Sequence, residues 1–203
     1  MHPNPIYHTA DAAKNLAFAR ARAFGTLCVA APEGPLVSHV PFLLSDDGAA
    51  AELHLVRSNP IARALAKPLQ ATLAVSGPDS YISPDWYNLE NQVPTWNYVA
   101  VHLKGQLTLQ PQETMRDLLD RHSAEYEGRL PKAPWKVDKV APEALDKLLR
   151  MIVPCRLMIG RVDGTWKFSQ NKPDASRLSA ADQAAQAGFG AEVAQLARMM
   201  RDA

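Results

Sequence analysis

Val99-Ala100-Val101-His102-Leu103-Lys104-Gly105-Gln106-Leu107-Thr108-Leu109 is the stretch whose reading decides the fold class. Val99, Val101, Leu103, Leu107 and Leu109 alternate with Ala100, His102, Lys104, Gln106 and Thr108. A period of two sends one set to a buried face and the other toward water, which is a half-buried strand. Strand signals recur on both sides of it. Upstream, Thr26 to Ala30 is a short apolar run, and Ala71 to Ser76 reads as a buried strand closed by Gly77-Pro78. Pro35 to Leu44 reads as one strand, with Leu36, Ser38, Val40 and Phe42 on one face. Asp46-Asp47-Gly48 is a turn, and Glu52 to Arg57 returns as the second arm of a hairpin. Downstream, Leu157 to Phe168 reads as a hairpin around Asp163-Gly164, a pair that favours a type I′ turn.

Helical patterns sit around these strands. The first runs from Thr9 and Asp11 through an Ala-rich interior to a stop at Gly25. Asn59-Pro60 opens a short one ending before Pro68, because Asn caps free amides and Pro is tolerated at the first helical position. Met115, Leu118, Leu119, His122 and Tyr126 share one helical face, and Leu145, Leu148, Leu149 and Ile152 share another. Ser179 to Asp182 reads as a cap ahead of a Val193, Leu196, Ala197, Met200 stripe. The order lacks the strand–helix alternation of a parallel sheet. It predicts an α+β fold, a small antiparallel β-barrel with peripheral helices.

Composition narrows the function. With 203 residues, 47% apolar and 21% charged, the chain has the make-up of one globular domain, not of a disordered segment. Lys and Arg number 22 against 21 Asp and Glu, a net charge of +1, so no global field draws it to nucleic acid or anionic lipid. DNA binding would need a local patch, for which Arg20, Arg22 and Arg63 are the candidates. Cys28 and Cys155 lie in apolar strand contexts and read as buried thiols, since a chain of this size builds a core without a staple. No run approaches the ~18 apolar residues of a membrane helix, and Met1 to Pro5 lacks the features of a signal peptide. A cytoplasmic protein is expected.

Three segments carry chemistry. Arg57-Ser58-Asn59-Pro60 joins a strand-end arginine, a hydroxyl and a helix start, the components of a phosphate or carboxylate site; the plainer reading is a cap beside a solvated arginine. Tyr81 to Tyr98 holds two of the four Trp and three of the five Tyr on a Pro-interrupted loop, suited to wall a planar ligand, to form a dimer interface or to seal the barrel mouth. Trp166-Lys167-Phe168-Ser169-Gln170-Asn171-Lys172 ends the last strand with a row of donors. His39, His54 and His102 lie in strand patterns without the short spacing of a zinc motif. Asp85 and Glu90 have no paired carboxylate, and no cysteine has a CxxC neighbour, so no catalytic residue and no metal ligand is assigned.

Leu36-Val37-Ser38-His39-Val40-Pro41-Phe42, Arg57-Ser58-Asn59-Pro60, Tyr81-Ile82-Ser83-Pro84-Asp85-Trp86-Tyr87, Val93-Pro94-Thr95-Trp96-Asn97-Tyr98 and the Trp166 to Lys172 segment together resemble the PaiB family of FMN-binding negative transcriptional regulators. The motifs run in family order from about Pro5 to Lys172. The resemblance implies an FMN-binding split β-barrel, homodimeric, with FMN at the subunit interface. By position it implies Arg57, Ser58 and Asn59 at the FMN phosphate and His39 and Val40 along the isoalloxazine ring. Trp96 and Asn97 would border the ring or ribityl chain, and Gln170, Asn171 and Lys172 would reach over from the other subunit. The split-barrel domain with its helical decorations is read as 1–175, and residues 176–203 as a helical C-terminal tail packed on the same domain. Beyond Asp174-Ala175-Ser176-Arg177 the tail carries no distinctive motif.

Three functions follow from different premises. A regulator is what the family resemblance implies, with DNA as a partner that the net charge does little to favour. A flavin-dependent oxidoreductase acting on a small molecule is the alternative, the flavin supplying the redox chemistry. A haem-binding or haem-degrading split barrel, with His39 or His102 as axial ligand, is the third.

Overall fold

The alternating run from Val99 is the C-terminal part of a longer strand, Thr95–Leu109, as the computed structural model, which describes residues 1–203, makes plain. In chain order the elements are α1 (Ala12–Arg22), β1 (Phe24–Val29), β2 (Leu36–Pro41), β3 (Leu43–Leu44), β4 (Ala50–Val56), α2 (Pro60–Ala64) and β5 (Leu69–Ile82). They continue with β6 (Thr95–Leu109), α3 (Met115–Glu127), α4 (Pro142–Arg150), β7 (Ile152–Lys167), α5 (Asp174–Ala187) and α6 (Val193–Arg201). The seven strands form one sheet in the order β2-β1-β5-β6-β7-β4-β3. The fold class is the expected one, α+β with a split antiparallel barrel and helices around it.

Two compact units share the chain. One comprises Met1–Phe18, Val75–His102 and Val162–Ala203; the other comprises Ala19–Ala74 and Leu103–Arg161. In the second, β1 pairs antiparallel with β2 from Phe24↔Pro41 to Val29↔Leu36, and β4 pairs with β7 from Ala50↔Met158 to Val56↔Ile152. Its core holds Leu27, Phe42, Leu53, Leu73, Leu103, Leu107, Met115 and Leu157, all essentially out of water. In the first unit Ile82, Tyr87, Val99, Trp166 and Phe168 pack with Ala180, Ala181 and Ala184 of α5 and Leu196 and Met200 of α6. The Leu196, Ala197, Met200 stripe is thus fully buried, and the small alanines of α5 let α6 approach closely.

Four expectations give way. Pro35 to Leu44 is not one strand: it breaks at Phe42, so that β2 pairs with β1 while β3 pairs with β4 through Leu43↔Glu52 and Leu44↔Ala51. Phe42 is buried at the break and its N–H donates to Ala23 O at 3.0 Å. Alternation specifies which side chains share a face, not which partner each half of a run will choose. Gly77-Pro78 does not close a strand but lies inside β5; a Cβ at Gly77 would stand 2.6 Å from the Phe18 ring and 2.9 Å from Val99 Cβ, so the glycine serves a close approach. Asp163-Gly164 makes no hairpin, since β7 runs through it unbroken. There a Cβ would lie 2.0 Å from Asn15 Oδ1, again a packing role for glycine. Ser179 is no cap: α5 starts at Asp174, and the Ser179 hydroxyl accepts from Asn88 Nδ2 at 2.9 Å from within the helix.

Candidate functional site

The predicted residues fall into both units. In the second unit β4 ends at Val56, and Arg57, Ser58 and Asn59 lead into α2. Asn59 is a cap as expected, its Oδ1 accepting from Ile61 N at 2.9 Å. Its Nδ2 donates to Ser38 Oγ of β2 at 2.6 Å, which fixes the amide. Ser58 is exposed. Arg57 is exposed too, but is held: Nε donates to Arg150 O at 2.9 Å, and Nη2 to Gln112 Oε1 at 2.8 Å and to Ile152 O at 3.4 Å. All three acceptors are uncharged, so the guanidinium keeps its charge for an anion, with Nη1 outside these bonds. Loop hydroxyl, amide and arginine fit the phosphate of FMN.

Next to them on β2, His39 is exposed; its Nδ1 lies 3.1 Å from Thr26 Oγ1 and its ring stacks on Phe24 at 6.5 Å with 16° between planes. Val40 points into the core. In this unit the structure joins Asn59 of the β4–α2 loop to Ser38 of β2, whereas the His39 side chain lies on the other face of that strand, beside Thr26 and Phe24.

In the first unit the aromatic segment is less of a loop than expected, because Thr95 to Tyr98 is already β6 and Pro84–Tyr87 is a 3-10 turn. Trp96 is 44% exposed and meets Tyr81 at 6.3 Å and Phe189 at 5.6 Å, both edge-on, while Tyr81 and Phe189 stack at 5.2 Å. Asn97 faces inward: Nδ2 donates to Ser169 Oγ at 2.8 Å and approaches Met200 Sδ at 3.4 Å, leaving Oδ1 buried without a partner. Gln170 folds back on its own strand, accepting from Phe168 N at 2.7 Å and donating to Trp166 O at 2.6 Å. Asn171 accepts from Tyr7 OH at 3.0 Å, and Lys172 donates to Gln92 Oε1 with its ammonium 5.4 Å over the Tyr87 ring.

Asn171 and Lys172 line a cleft of about 240 Å³ with Tyr7, Tyr87, Thr95, Lys167 and Ser169. Lys167 donates to Thr95 Oγ1 at 2.5 Å and lies 5.8 Å over the Tyr7 ring. Its pKa is lowered, first by burial and then by the charge of Lys172. Burial also raises the Tyr7 and Tyr87 hydroxyls, the latter relieved in part by its 2.7 Å bond with Ser169 Oγ. Ser169 holds φ +63, a left-handed conformation that costs a non-glycine residue and recurs at functional sites.

A wider groove in the second unit, about 800 Å³, contrasts with it: Arg20, Arg121, Arg129 and Arg156 line it together with Glu52, Asp117 and Glu125. There Glu52 receives Arg121 at 2.5 Å and Arg156 at 2.6 Å, and Arg129 pairs with Glu125 at 2.7 Å. Burial works to raise the Glu52 pKa, but the two arginines outweigh it and hold the carboxylate ionised.

Tyr7, Lys167, Ser169 and Phe189 join the candidates only through the structure. Lys167 and Ser169 stand where the local pattern is that of a strand and its exit; Phe189, a lone aromatic flanked by Gly188 and Gly190 in an Ala-rich tail, is the one with a signal in the sequence. Nothing in the sequence foretells the φ of Ser169.

An antiparallel split barrel with an exposed arginine–hydroxyl–amide loop defines a class, the flavin-binding split barrels. A family model described as "Putative FMN-binding domain" matches residues 1–161, and the chain belongs to that family, with FMN as its cofactor. It is similar to the protease synthase and sporulation protein PAI 2 of Bacillus subtilis, 29% identical over 187 residues, covering 91% of this chain and 89% of the relative. An uncharacterized protein of Aspergillus fumigatus is 28% identical, covering 71% of this chain and 75% of its own. Among solved structures, an FAD- and haem-binding protein from Mycobacterium smegmatis matches with a TM-score of 0.59 at 15% identity, over 91% of this chain and 82% of that one. The flavocytochrome Anf3 from Azotobacter vinelandii gives 0.57 at 15%, over 82% and 72%. At such identity these two speak for the fold alone.

Proposed function

We propose that this chain is a cytoplasmic, homodimeric FMN-binding regulator of the PaiB kind, its flavin phosphate held by Arg57, Ser58 and Asn59. The observation that carries the reading is an exposed guanidinium whose acceptors are all uncharged, beside a free hydroxyl and a side-chain amide. His39 and the backbone at Val40 would follow the ring, Trp96 and Asn97 its edge or the ribityl chain, Trp96 being the one with an exposed ring. Gln170, Asn171 and Lys172 would come from the partner protomer. Residues 1–175 are read as the FMN domain and 176–203 as a tail belonging to it. FMN, when bound, supplies one- or two-electron redox chemistry. The chain's own groups bind the phosphate and position the ring.

A regulatory role rests on the PaiB resemblance, in keeping with the similarity to the protease synthase and sporulation protein PAI 2. Free Cys28 and Cys155 suit a reducing compartment. DNA contact has little charge behind it, for the net charge is +1 and the groove arginines are paired with carboxylates or carbonyls. Oxidoreductase action is the second reading, favoured by the polar cleft of the first unit, which has room for a small substrate.

The test is flavin absorbance retained after incubation with FMN and removal of the excess. The wild-type protein is expected to stay yellow, and Arg57→Ala to lose roughly 1.5–3 kcal/mol of binding, the worth of one charge-assisted hydrogen bond. Unchanged affinity in Arg57→Ala removes that arginine from the phosphate role.

A further inference from the structure

Lys167 and Lys172 bring two ammonium groups into one small cleft, and no aspartate or glutamate lines it. Their hydrogen-bond acceptors are neutral, the Thr95 hydroxyl and the Gln92 amide. Each also lies over a tyrosine ring, Lys167 over Tyr7 and Lys172 over Tyr87. A ring face offsets part of a cation's desolvation, but it does not cancel the repulsion between two like charges. This is the reverse of the arginine groove, where every cation–carboxylate pair is closed within the chain. Around the lysines stand the hydroxyls of Tyr87 and Ser169, which share one hydrogen bond and so keep one proton between them to donate to an oxygen. Ser169 is kept in a left-handed backbone conformation with its hydroxyl buried between Tyr87 and Asn97. Placing a hydroxyl at that cost beside two unneutralised ammoniums is the pattern of a preorganised oxyanion site.

We propose that this cleft binds a small free oxyanion, a monophosphate or a compact carboxylic acid, through Lys167 and Lys172 with the Ser169–Tyr87 pair supporting it. At about 240 Å³ the space is below the roughly 300–1,000 Å³ of pockets that enclose drug-sized molecules, FMN among them. The occupant is therefore a ligand of a few heavy atoms. Bound there, it screens the two ammoniums from each other and favours the charged form of Lys167, against the effect of burial. If the flavin reading holds, such an acid is the natural class of substrate or effector for this protein; the cleft does not depend on that reading.

The experiment is titration calorimetry of FMN-free and FMN-loaded protein with inorganic phosphate and with succinate, at constant ionic strength set by chloride. Lys167→Met, Lys172→Met, Lys172→Arg and Arg57→Ala are run beside wild type, each checked for an unchanged thermal transition. Lys167→Met should weaken phosphate or succinate at least tenfold and leave FMN affinity within twofold, while Lys172→Met should weaken the anion to the same extent whatever it does to the flavin. Lys172→Arg should keep the anion, and Arg57→Ala should lose FMN while keeping it. Absence of phosphate and succinate binding by wild type overturns the proposal. So does a parallel loss of FMN in Lys167→Met, because the anion would then be the flavin's own phosphate. Failure of the FMN reading appears separately, as wild-type protein that takes phosphate but no flavin.

Discussion

His122 on α3 and His54 on β4 place two imidazoles 5.8 Å apart, His122 almost fully buried and ringed by Tyr126 at 5.7 Å. Burial pulls both pKa values down, and His54 adds to the effect on His122, which falls to about 4; its bond to Glu52 O works the other way. A folded-state value below the unfolded 6.5 means the unfolded chain takes protons first as pH drops. Stability is thus full above about pH 6.5 and is lost between there and about pH 4. The loss from His122 is on the order of 2–3 kcal/mol. Urea denaturation at pH 7.5 and pH 5 should show this fall, and His122→Leu should flatten it; a wild-type slope unchanged by the substitution would assign the acid sensitivity elsewhere. The two thiols make a second test at this scale. Cys155 is buried and its pKa pushed up to about 12, whereas Cys28 is only half-buried. Since the thiolate is the reactive form, a disulfide reagent should titrate about one thiol per native chain and both in denaturant, with Cys28→Ser removing the native signal. Two native thiols reacting at equal rates would contradict the burial of Cys155.

Whole elements explain what was legible. β6, α3 and α6 were visible because each buries a single periodic face, and the periodicity survives in the sequence as Val99–Leu109, Met115–Tyr126 and Val193–Met200. What failed were punctuation marks. Gly77 and Gly164 look like turn residues, but each is small to admit a neighbour, and that neighbour is distant in sequence. Local pattern cannot report Phe18 against Gly77 or Asn15 against Gly164. The site followed the same rule: Asn59 and Arg57 were readable as a local cap and a charge, whereas the Lys167–Lys172 cleft needs Tyr7 and Tyr87, far apart along the chain. The glycine of β7 gives an element-scale prediction. Gly164→Ala should drive a methyl into Asn15 Oδ1, the acceptor of the 2.8 Å bond from buried Trp166 Nε1, and cost about 1–3 kcal/mol. Asn15→Ala alone removes that acceptor; combining the two should cost less than the sum, as neighbours that share one clash couple. Strict additivity in denaturation would mean that Gly164 serves another purpose.

For the whole molecule, the question is whether one chain suffices to hold the flavin. β2 lies at one end of the strand order, and with β1 it carries Val37 at 53% and Phe24 at 55% exposure, with the His39 ring stacked on Phe24. An edge strand with apolar side chains in water invites pairing or coverage, and a second copy would supply it. If Gln170, Asn171 and Lys172 complete the flavin site from that second copy, dimerisation and FMN binding are one linked equilibrium. FMN affinity should then weaken on dilution below the dimer's dissociation constant, and added FMN should shift sedimentation toward twice the 22.2 kDa chain. Val37→Lys, which puts a charge on the edge, should yield monomers and reduce FMN binding in step, while the thermal transition of the FMN-free monomer stays close to that of diluted wild type. A monomer that retains FMN at full affinity would break the linkage: the Arg57–Ser58–Asn59 loop would hold the cofactor within one chain, and the exposed ribbon of β1 and β2 would be left to some other partner.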